Sequence, residues 1–241
     1  SIYTYQSLIS CYSRSSQSPE RAEQVLNFLK RQAADHGRID LEPNTHCYSA
    51  AIHAWAYSMQ PNKAKRAYDL LQDIRQRHEQ TGQKSVCQPN VVVYTAALNA
   101  CAKPCLPEER ETAFDIAVSI MEELKDAPAK YGTANFLTYA AFLRVAATTL
   151  PGSMDTDSCH PERRDVVVQE CFEQCCLNGH VGQIVLDKLA DAASPSLYRQ
   201  LLEGVEDTSF SSLPADWTRN VKGERRGMRV VPPESPASTP Q

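Results

Sequence analysis

The sequence lacks any apolar run approaching the roughly 18 residues that a membrane-spanning helix requires, so we predict no membrane span. It also lacks an excess of positive charge. The 25 Lys and Arg residues against 29 Asp and Glu residues give a net charge of −4, and such a composition does not by itself predict a polyanion partner. Glycine is scarce, at 9 residues. The stretch "GHVGQ" lacks the spacing of a phosphate-binding loop, so no nucleotide site is predicted there.

Paired cysteines and catalytic constellations are missing as well. The nine cysteines include no Cys-x-x-Cys pair, and an odd number without framework spacing favours reduced thiols over a disulfide scaffold. One cluster invites a metal-site hypothesis and comprises Cys171, Cys175, Cys176 and His180. However, Cys175 occupies a register that leucine and isoleucine hold elsewhere, so we expect a small core residue and no metal. No nucleophile–base pair is recognisable, and we predict neither an enzyme nor a cofactor.

What the sequence does contain is a repeat that begins at a tyrosine. Four segments share it, namely "IYTYQSLISCYSR", "THCYSAAIHAWAY", "VVVYTAALNACAK" and "FLTYAAFLRVAAT". The anchors are Tyr5, Tyr48, Tyr94 and Tyr139, at spacings of 43, 46 and 45 residues. A further register of mostly apolar residues recurs four and seven residues after each anchor, which is the period of a helix face. We therefore predict a helix in each segment, even where three consecutive valines favour a strand.

A second helix follows each anchored helix. Its apolar register has the same steps of four and three residues, as in Ala67, Leu71 and Ile74. We name the anchored helix of each unit helix A and the second one helix B. The dipeptide Pro-Asn precedes helix A of units two and three, where Asn44 and Asn90 are expected caps. Neither helix can bury its apolar stripe alone, so we expect the units to stack.

The repeat divides the chain into predicted parts. Residues 1–178 hold four units, with boundaries at about 2–44, 45–90, 91–135 and 136–178. Residues 179–221 lack the tyrosine register and are predicted to form capping helices, with a short helix near "PADWTRNV" that docks Trp217. Residues 222–241 are rich in Pro and Ser, and we expect them to be disordered. The chain starts with Ser1 in an apparent helix, so we expect a fragment in which the targeting peptide is not present.

The stretch "PNVVVYTAALNACAK", followed by "AFDIAVSIMEEL", resembles a pentatricopeptide repeat, with its Pro-Asn boundary, early tyrosine and small-residue helix A. The likeness covers about residues 2–178, although these units are longer than is usual in the family. The stretches "CFEQCCLNGHVG" and "LPADWTRN" are similar to the ends of algal members. The resemblance implies a right-handed α-solenoid of stacked helix pairs with a helical cap. It also implies single-stranded RNA binding in a mitochondrion or plastid, for RNA processing, stability or translation.

The resemblance further implies which residues meet the bases, at one base per unit. In the family, the residue after the anchor and the last residue of the unit bind the base edge. These pairs are Gln6 with Asn44, Ser49 with Asn90, and Thr95 with Asn135. The residue two positions before the anchor packs on base faces, and this position holds Tyr3, His46, Val92 and Leu137. Ser or Thr with Asn is the family's adenine combination, so units two and three are expected to prefer adenine. Unit one has no assignment, and Ala140 of unit four has no side-chain hydrogen bond to offer.

Two of these features also have purely structural explanations. The terminal asparagines can serve as helix caps alone. The helix A segments contain no Asp or Glu, while Arg14 and Lys103 lie nine residues after an anchor, where the family often places a basic residue near the phosphates. The absence of acids fits a positive binding face, and it equally fits helices A being the more buried helices. Both explanations remain open at this point.

A second function is also open. Stacked helix pairs serve as scaffolds for protein–protein interaction, and the net acidity and the long loops favour that alternative. The polar residues that recur in register favour RNA. A third hypothesis, an enzyme of RNA processing, requires a catalytic domain outside this chain.

Overall fold

A computed structural model describes residues 1–14, 18–81, 87–151, 162–205 and 212–221. Within these ranges every regular element is helical and none is a strand, which confirms the predicted all-α class. The same ranges contain no helix that combines the length and the apolarity needed to cross a bilayer. The predicted disordered tail 222–241 and most of the predicted unit-four loop, residues 152–161, lie outside the described residues.

Twelve α-helices follow one another in the described ranges, and their bounds are close to the segments predicted from the repeat. They are α1 (Ile2–Arg14), α2 (Pro19–Asp35), α3 (Thr45–Tyr57), α4 (Lys63–Thr81), α5 (Val91–Cys101), α6 (Arg110–Asp126), α7 (Pro128–Tyr131), α8 (Phe136–Thr149), α9 (Glu162–Leu177), α10 (Gln183–Ala192), α11 (Pro195–Leu201) and α12 (Ala215–Thr218). Helices A are α1, α3, α5 and α8, and helices B are α2, α4, α6 and α9. Short 3-10 turns at Ile39–Leu41 and Pro107–Glu109 lie in the connections.

The helices pack in a repeating way. Each helix A packs against helix B of its own unit and against helix A of the next unit, so that α1, α3, α5 and α8 form a continuous row. Helices α2, α4 and α6 also contact helix A of the following unit. Helix α10 takes the next place in the row, since it packs against α8 and α9. The row of helices A therefore continues to α10, beyond the last tyrosine anchor.

The anchor tyrosines form part of the core. Tyr48 and Tyr94 are fully buried, Tyr139 is nearly so, and Tyr5 of the first unit is half-buried. The buried hydroxyl of Tyr48 donates a hydrogen bond of 2.7 Å to Asp73 on α4. Burial raises the pKa of Tyr139 to about 12, so its hydroxyl is neutral at physiological pH. Tyr48 thus ties helix A to helix B of its unit, and the three buried anchors do not reach the exposed side of the row.

The last described helix closes the α9–α10 turn. The Trp217 ring meets the Phe172 ring of α9 edge-on, with 5.7 Å between the ring centroids. The backbone oxygen of Trp217 accepts a hydrogen bond of 2.8 Å from the backbone nitrogen of Val181. Gly179 has a φ of 68°, and a Cβ there would lie 2.4 Å from the Arg219 side chain. Only glycine fits this turn without a shift of its neighbours.

Candidate nucleic-acid interface

Three rows of side chains lie on one exposed side of the helices A, which we name the A face. The outer row, two residues before each anchor, is exposed and holds Tyr3, His46, Val92 and Leu137. The middle row, one residue after each anchor, holds Gln6, Ser49, Thr95 and Ala140. The inner row, five residues after each anchor, is half-buried and holds Ser10, His53, Asn99 and Arg144. Steps of three and four residues keep the rows on one helix face, so every unit contributes one residue to each row.

A cavity of about 310 Å³ lies on the A face between α5, α8 and α10. Its lining includes Val92, Thr95, Asn99, Asn135, Leu137 and Arg144. Four of these six residues were predicted from the sequence to meet a base. The predicted pair of unit three, Thr95 with Asn135, therefore faces a single space together with two of the predicted base-packing residues.

The unit-three pair is connected through a buried threonine. The hydroxyl oxygen of Thr95 lies 2.9 Å from that of Thr138, which is fully buried. The Thr138 hydroxyl in turn accepts a hydrogen bond of 3.2 Å from the backbone nitrogen of Asn135 and lies 3.2 Å from Asn135 Oδ1. This is a capping box at the start of α8, and it fixes the position of Thr95 relative to Asn135.

The three terminal asparagines are helix caps, as expected. Oδ1 of Asn44 accepts a hydrogen bond of 3.1 Å from the backbone nitrogen of Cys47. Oδ1 of Asn90 accepts two such bonds of 3.1 and 3.2 Å, and Oδ1 of Asn135 accepts two of 3.0 and 3.1 Å. Because the backbone donors identify the oxygen, the NH₂ group of each side chain must be the other atom. In the described residues none of these NH₂ groups has a protein acceptor, so capping leaves two donors on each asparagine.

The pairs of units one and two lie on the same rows but are not connected in this way. Within the described part of the chain, no hydrogen bond joins the side chains of Ser49 and Asn90, or those of Gln6 and Asn44. Val93 stands in unit three where Thr138 stands in unit four, and it has no hydroxyl to bridge the Ser49–Asn90 pair. The structure therefore brings together the side chains of one of the three predicted base-reading pairs.

The two predicted phosphate contacts differ in their backbone positions. Arg14 is the last residue of α1 and is exposed. Lys103 is exposed too, but it lies beyond the end of α5 in a turn with a φ of 58°. Pro104 disfavours a helical conformation at the residue before it, which explains why α5 ends at Cys101. Their shared sequence register therefore does not give the two residues the same place on the helix.

Charge is distributed unevenly over the protein. Helices α1, α3, α5 and α8 contain no Asp or Glu, and in the described ranges no ion pair involves them. Most of the ion pairs involve the B helices instead, as in Lys30–Asp73 at 2.7 Å and Arg75–Glu123 at 2.8 Å. Most residues of α3, α5 and α8 are also buried. Burial thus explains the absence of Asp and Glu at most positions of these helices. The residues of these helices that are exposed are neutral or basic.

Sequence reasoning missed the inner row. Its signal is present in the aligned segments, because five residues after every anchor the residue is polar while the residue before it is Ile or Leu. His53 of this row stacks on Tyr57, with 5.8 Å between the ring centroids. Burial lowers the pKa of His53, and its Nδ1 has no partner among the described residues. His53 is therefore neutral at physiological pH and provides a hydrogen-bonding group to this face rather than a charge.

The cysteine cluster lies away from the A face. Cys171 and Cys175 are buried core residues of α9, and burial raises the pKa of both thiols. The His180 ring packs at 6.4 Å from the ring of Tyr139. Within the described ranges no three His, Cys, Asp or Glu side chains converge in a way that would hold a metal ion. These residues act as part of the core in this structure.

Comparison with known proteins assigns no family to the chain. No family model matches it, and neither does any curated protein or solved structure.

Proposed function

We propose that the chain is a pentatricopeptide-type repeat protein that binds single-stranded RNA along the A face, with its helix pairs stacked as a right-handed α-solenoid. The continuous row of α1, α3, α5 and α8 supports this proposal, because each unit adds one helix to the row and one residue to each row of side chains. A ligand with one repeating element per unit matches such a surface, and a single-stranded RNA has one base per nucleotide. The protein then acts on organellar transcripts, in a mitochondrion or plastid, as a binding protein without catalysis.

The cavity beside Thr95 is the observation that carries the proposal. Val92 and Leu137 are apolar side chains that are 56% and 47% exposed, and they stand on either side of the polar Thr95–Asn135 pair in sequence register. A base is flat, with apolar faces and a hydrogen-bonding edge. Two exposed apolar side chains would cover its faces, while the hydroxyl and the amide would meet its edge.

The hydrogen bonds of unit three favour particular bases. When Thr138 donates its one proton to Asn135 Oδ1, Thr95 must donate to Thr138 and then offers only lone pairs to a ligand. Thr95 is then an acceptor and the NH₂ group of Asn135 a donor. Adenine and cytosine both present an amino donor beside a ring-nitrogen acceptor on the Watson–Crick edge, whereas uracil presents the reverse. The family resemblance selects adenine between the two, and uracil is the natural control.

Fluorescence-anisotropy titration tests this function. We expect a short uridine RNA with two adjacent adenines to bind more tightly than an all-uridine RNA, by about 1–3 kcal/mol per decoded base at most. Thr95→Val keeps the shape of the side chain and removes the hydroxyl, so it should reduce that preference. Thr112→Val, on the exposed side of α6, is the matched control and should retain the preference. Equal affinity of the wild type for both RNAs would contradict base reading, and no binding of either RNA would contradict RNA binding itself.

Protein binding is the second candidate, and one observation favours it. A larger cavity of about 570 Å³ lies on the other side of the molecule, between α6, α8 and α9, and Phe114, Val118 and Met121 contribute to its mostly apolar lining. An apolar groove of this kind fits a peptide better than a nucleic acid. A folded protein that fails to bind any RNA in the titration would make this the better explanation of the fold.

A further inference from the structure

Arg144 is a cation that lacks a carboxylate partner in the described part of the chain. It lies on the inner row in the middle of α8, and its Nη2 donates to Oδ1 of Asn99 on α5. Its Nε is buried without an acceptor among the described residues. By contrast, Arg75 and Arg77 on α4 each contact a carboxylate at 2.8 Å. A guanidinium has five N–H donors, and among the described residues only Asn99 accepts a hydrogen bond from that of Arg144. An anionic ligand in the cavity that Arg144 lines would supply further acceptors and balance its charge.

Two lysines surround Arg144 with further positive charge. Lys188 of α10 lines the same cavity as Arg144. Its ammonium contacts Asp191 on its own helix, in a mostly exposed pair that uses one of its three donors. Lys63, at the start of α4, is buried, and burial lowers its pKa; the charge of Arg144 lowers it further, while Cys105 and Glu109 act in the opposite direction. Among these cations Arg144 is the one without a carboxylate within ion-pair distance in the described residues that also lines the cavity.

Lys188 is the counterpart of Arg144 on the next helix of the row. It follows Arg144 by 44 residues, nearly the same separation as the 45 residues between Asn99 and Arg144. However, α10 has Gln183 at the register of the anchor tyrosine, and its cap is Gly182, which has no side chain to offer a base. Helix α10 thus contributes a cation to the A face without a base-reading pair.

We propose that Arg144 and Lys188 bind a phosphate of the RNA backbone at the α8–α10 end of the A face, next to the base that Thr95 and Asn135 read. This proposal rests on the proposed RNA binding. The middle row ends here in Ala140, which offers no polar side-chain atom, so the nucleotide at this end is held by its backbone whatever its base. A guanidinium fits a phosphate well because it presents parallel N–H donors to two oxygens. The site differs from Arg14 and Lys103, which lie nine residues after an anchor rather than five.

The test compares the salt dependence of RNA binding in the wild type and in Arg144→Gln. Each phosphate contact adds about 0.7 to the slope of log affinity against log salt for a single strand. We expect Arg144→Gln to bind RNA more weakly than the wild type at low salt, and its slope to be shallower by about 0.7. Between about 50 and about 200 mM salt, the fold-decrease in the affinity of the variant should therefore be roughly 2.5 times smaller than that of the wild type. Its preference for adenine over uracil should not change. Arg144→Lys should restore most of the slope, and Arg110→Gln, an exposed arginine on α6, should behave as the wild type.

The outcomes separate this proposal from the proposed function. If the wild type binds RNA and Arg144→Gln keeps the same slope, the phosphate site is wrong while RNA binding stands. If Arg144→Gln instead abolishes only the adenine preference, Arg144 acts on a base and the site is also wrong. If the wild type binds no RNA but binds an acidic peptide through Arg144, both proposals are overturned. Should thermal unfolding show that Arg144→Gln does not fold, Lys188→Gln supplies the same measurement of slope.

Discussion

Asn135 has an observed role as a helix cap and a proposed role in base reading, and one substitution can separate them. Its Oδ1 caps α8, and its side chain lines the cavity beside Thr95. A substitution by alanine removes both Oδ1 and the NH₂ group at once, so a loss of stability and a loss of base recognition cannot be separated in that variant. Serine is as good a helix cap as asparagine, but it is shorter and has no NH₂ group.

We predict different effects for the two variants of Asn135. Asn135→Ala should lower the free energy of unfolding by about 1 kcal/mol, because the cap of α8 is lost, and should also reduce the preference for adenine. Asn135→Ser should reduce that preference while it keeps most of the stability. Urea denaturation and RNA titration of both variants measure the two effects. A serine variant that retains full discrimination would show that Asn135 is a cap and nothing more.

Some residues of the site could be predicted from the sequence and others could not. The caps Asn44 and Asn90 were predictable because a cap is a local feature, read from Pro-Asn before an apolar period. The role of Thr138 was not, since it depends on α5 and α8 bringing two hydroxyls within 2.9 Å. The role proposed for Arg144 was not predictable either, because its lack of a carboxylate partner among the described residues depends on its neighbours in space. Lys188 was missed because α10 has no tyrosine to mark its register.

At the scale of helices, the B helices are connected by ion pairs that follow the repeat. The pairs follow the helix B register, whose first residue in unit two is Ala67. A cation eight residues after the first register residue of one unit contacts an acid six residues after the first register residue of the next unit. This gives Lys30–Asp73 between α2 and α4, and Arg75–Glu123 between α4 and α6. The third position holds Lys125 on α6 and Gln174 on α9, and both line the larger cavity. The series therefore lacks its last acid, at the place where that cavity opens.

Gln174→Glu should complete the series. We expect the new pair with Lys125 to stabilise the protein by about 0.5 kcal/mol, a value typical of a largely exposed ion pair. Repulsion from Glu170, four residues earlier on α9, should offset part of this gain. Urea denaturation of Gln174→Glu, of Lys125→Gln and of the double variant isolates the energy of the pair. If Gln174→Glu stabilises the protein equally when Lys125 is replaced by Gln, the proposed pairing of these two positions is wrong.

Helix positions were predictable from the sequence because the apolar period repeats four times, and three consecutive valines did not prevent α5 from forming. Its end was less predictable, since the register alone carries the pattern to Lys103 while Pro104 stops the helix earlier. A capping helix was predicted in the region of α10, but its place in the row was not. The packing of α10 against α8 makes it the next member of the row, and this contact between distant segments has no signal in the tyrosine register.

At the scale of the whole molecule, the proposed function requires that RNA binds one side of the row and not the other. The A face has no acidic residue on α1, α3, α5 or α8, whereas the ion pairs of the described residues link mainly the B helices and their connections. The cations of these pairs are already neutralised by carboxylates, so they offer a polyanion little attraction on the B side. RNA contacts with the B side of the same protein are thus the internal control for RNA contacts with the A face.

Photo-cross-linking with mass spectrometry tests this claim most directly. A short RNA of adenosine and 4-thiouridine is irradiated with the wild-type protein, and the cross-linked peptides are identified. We predict cross-links within α3, α5 and α8, above all at outer-row residues such as His46, Val92 and Leu137, and a loss of these cross-links when unlabelled adenine-containing RNA competes. Cross-links concentrated in α4, α6 and α9, or spread equally over both sides, would contradict the account.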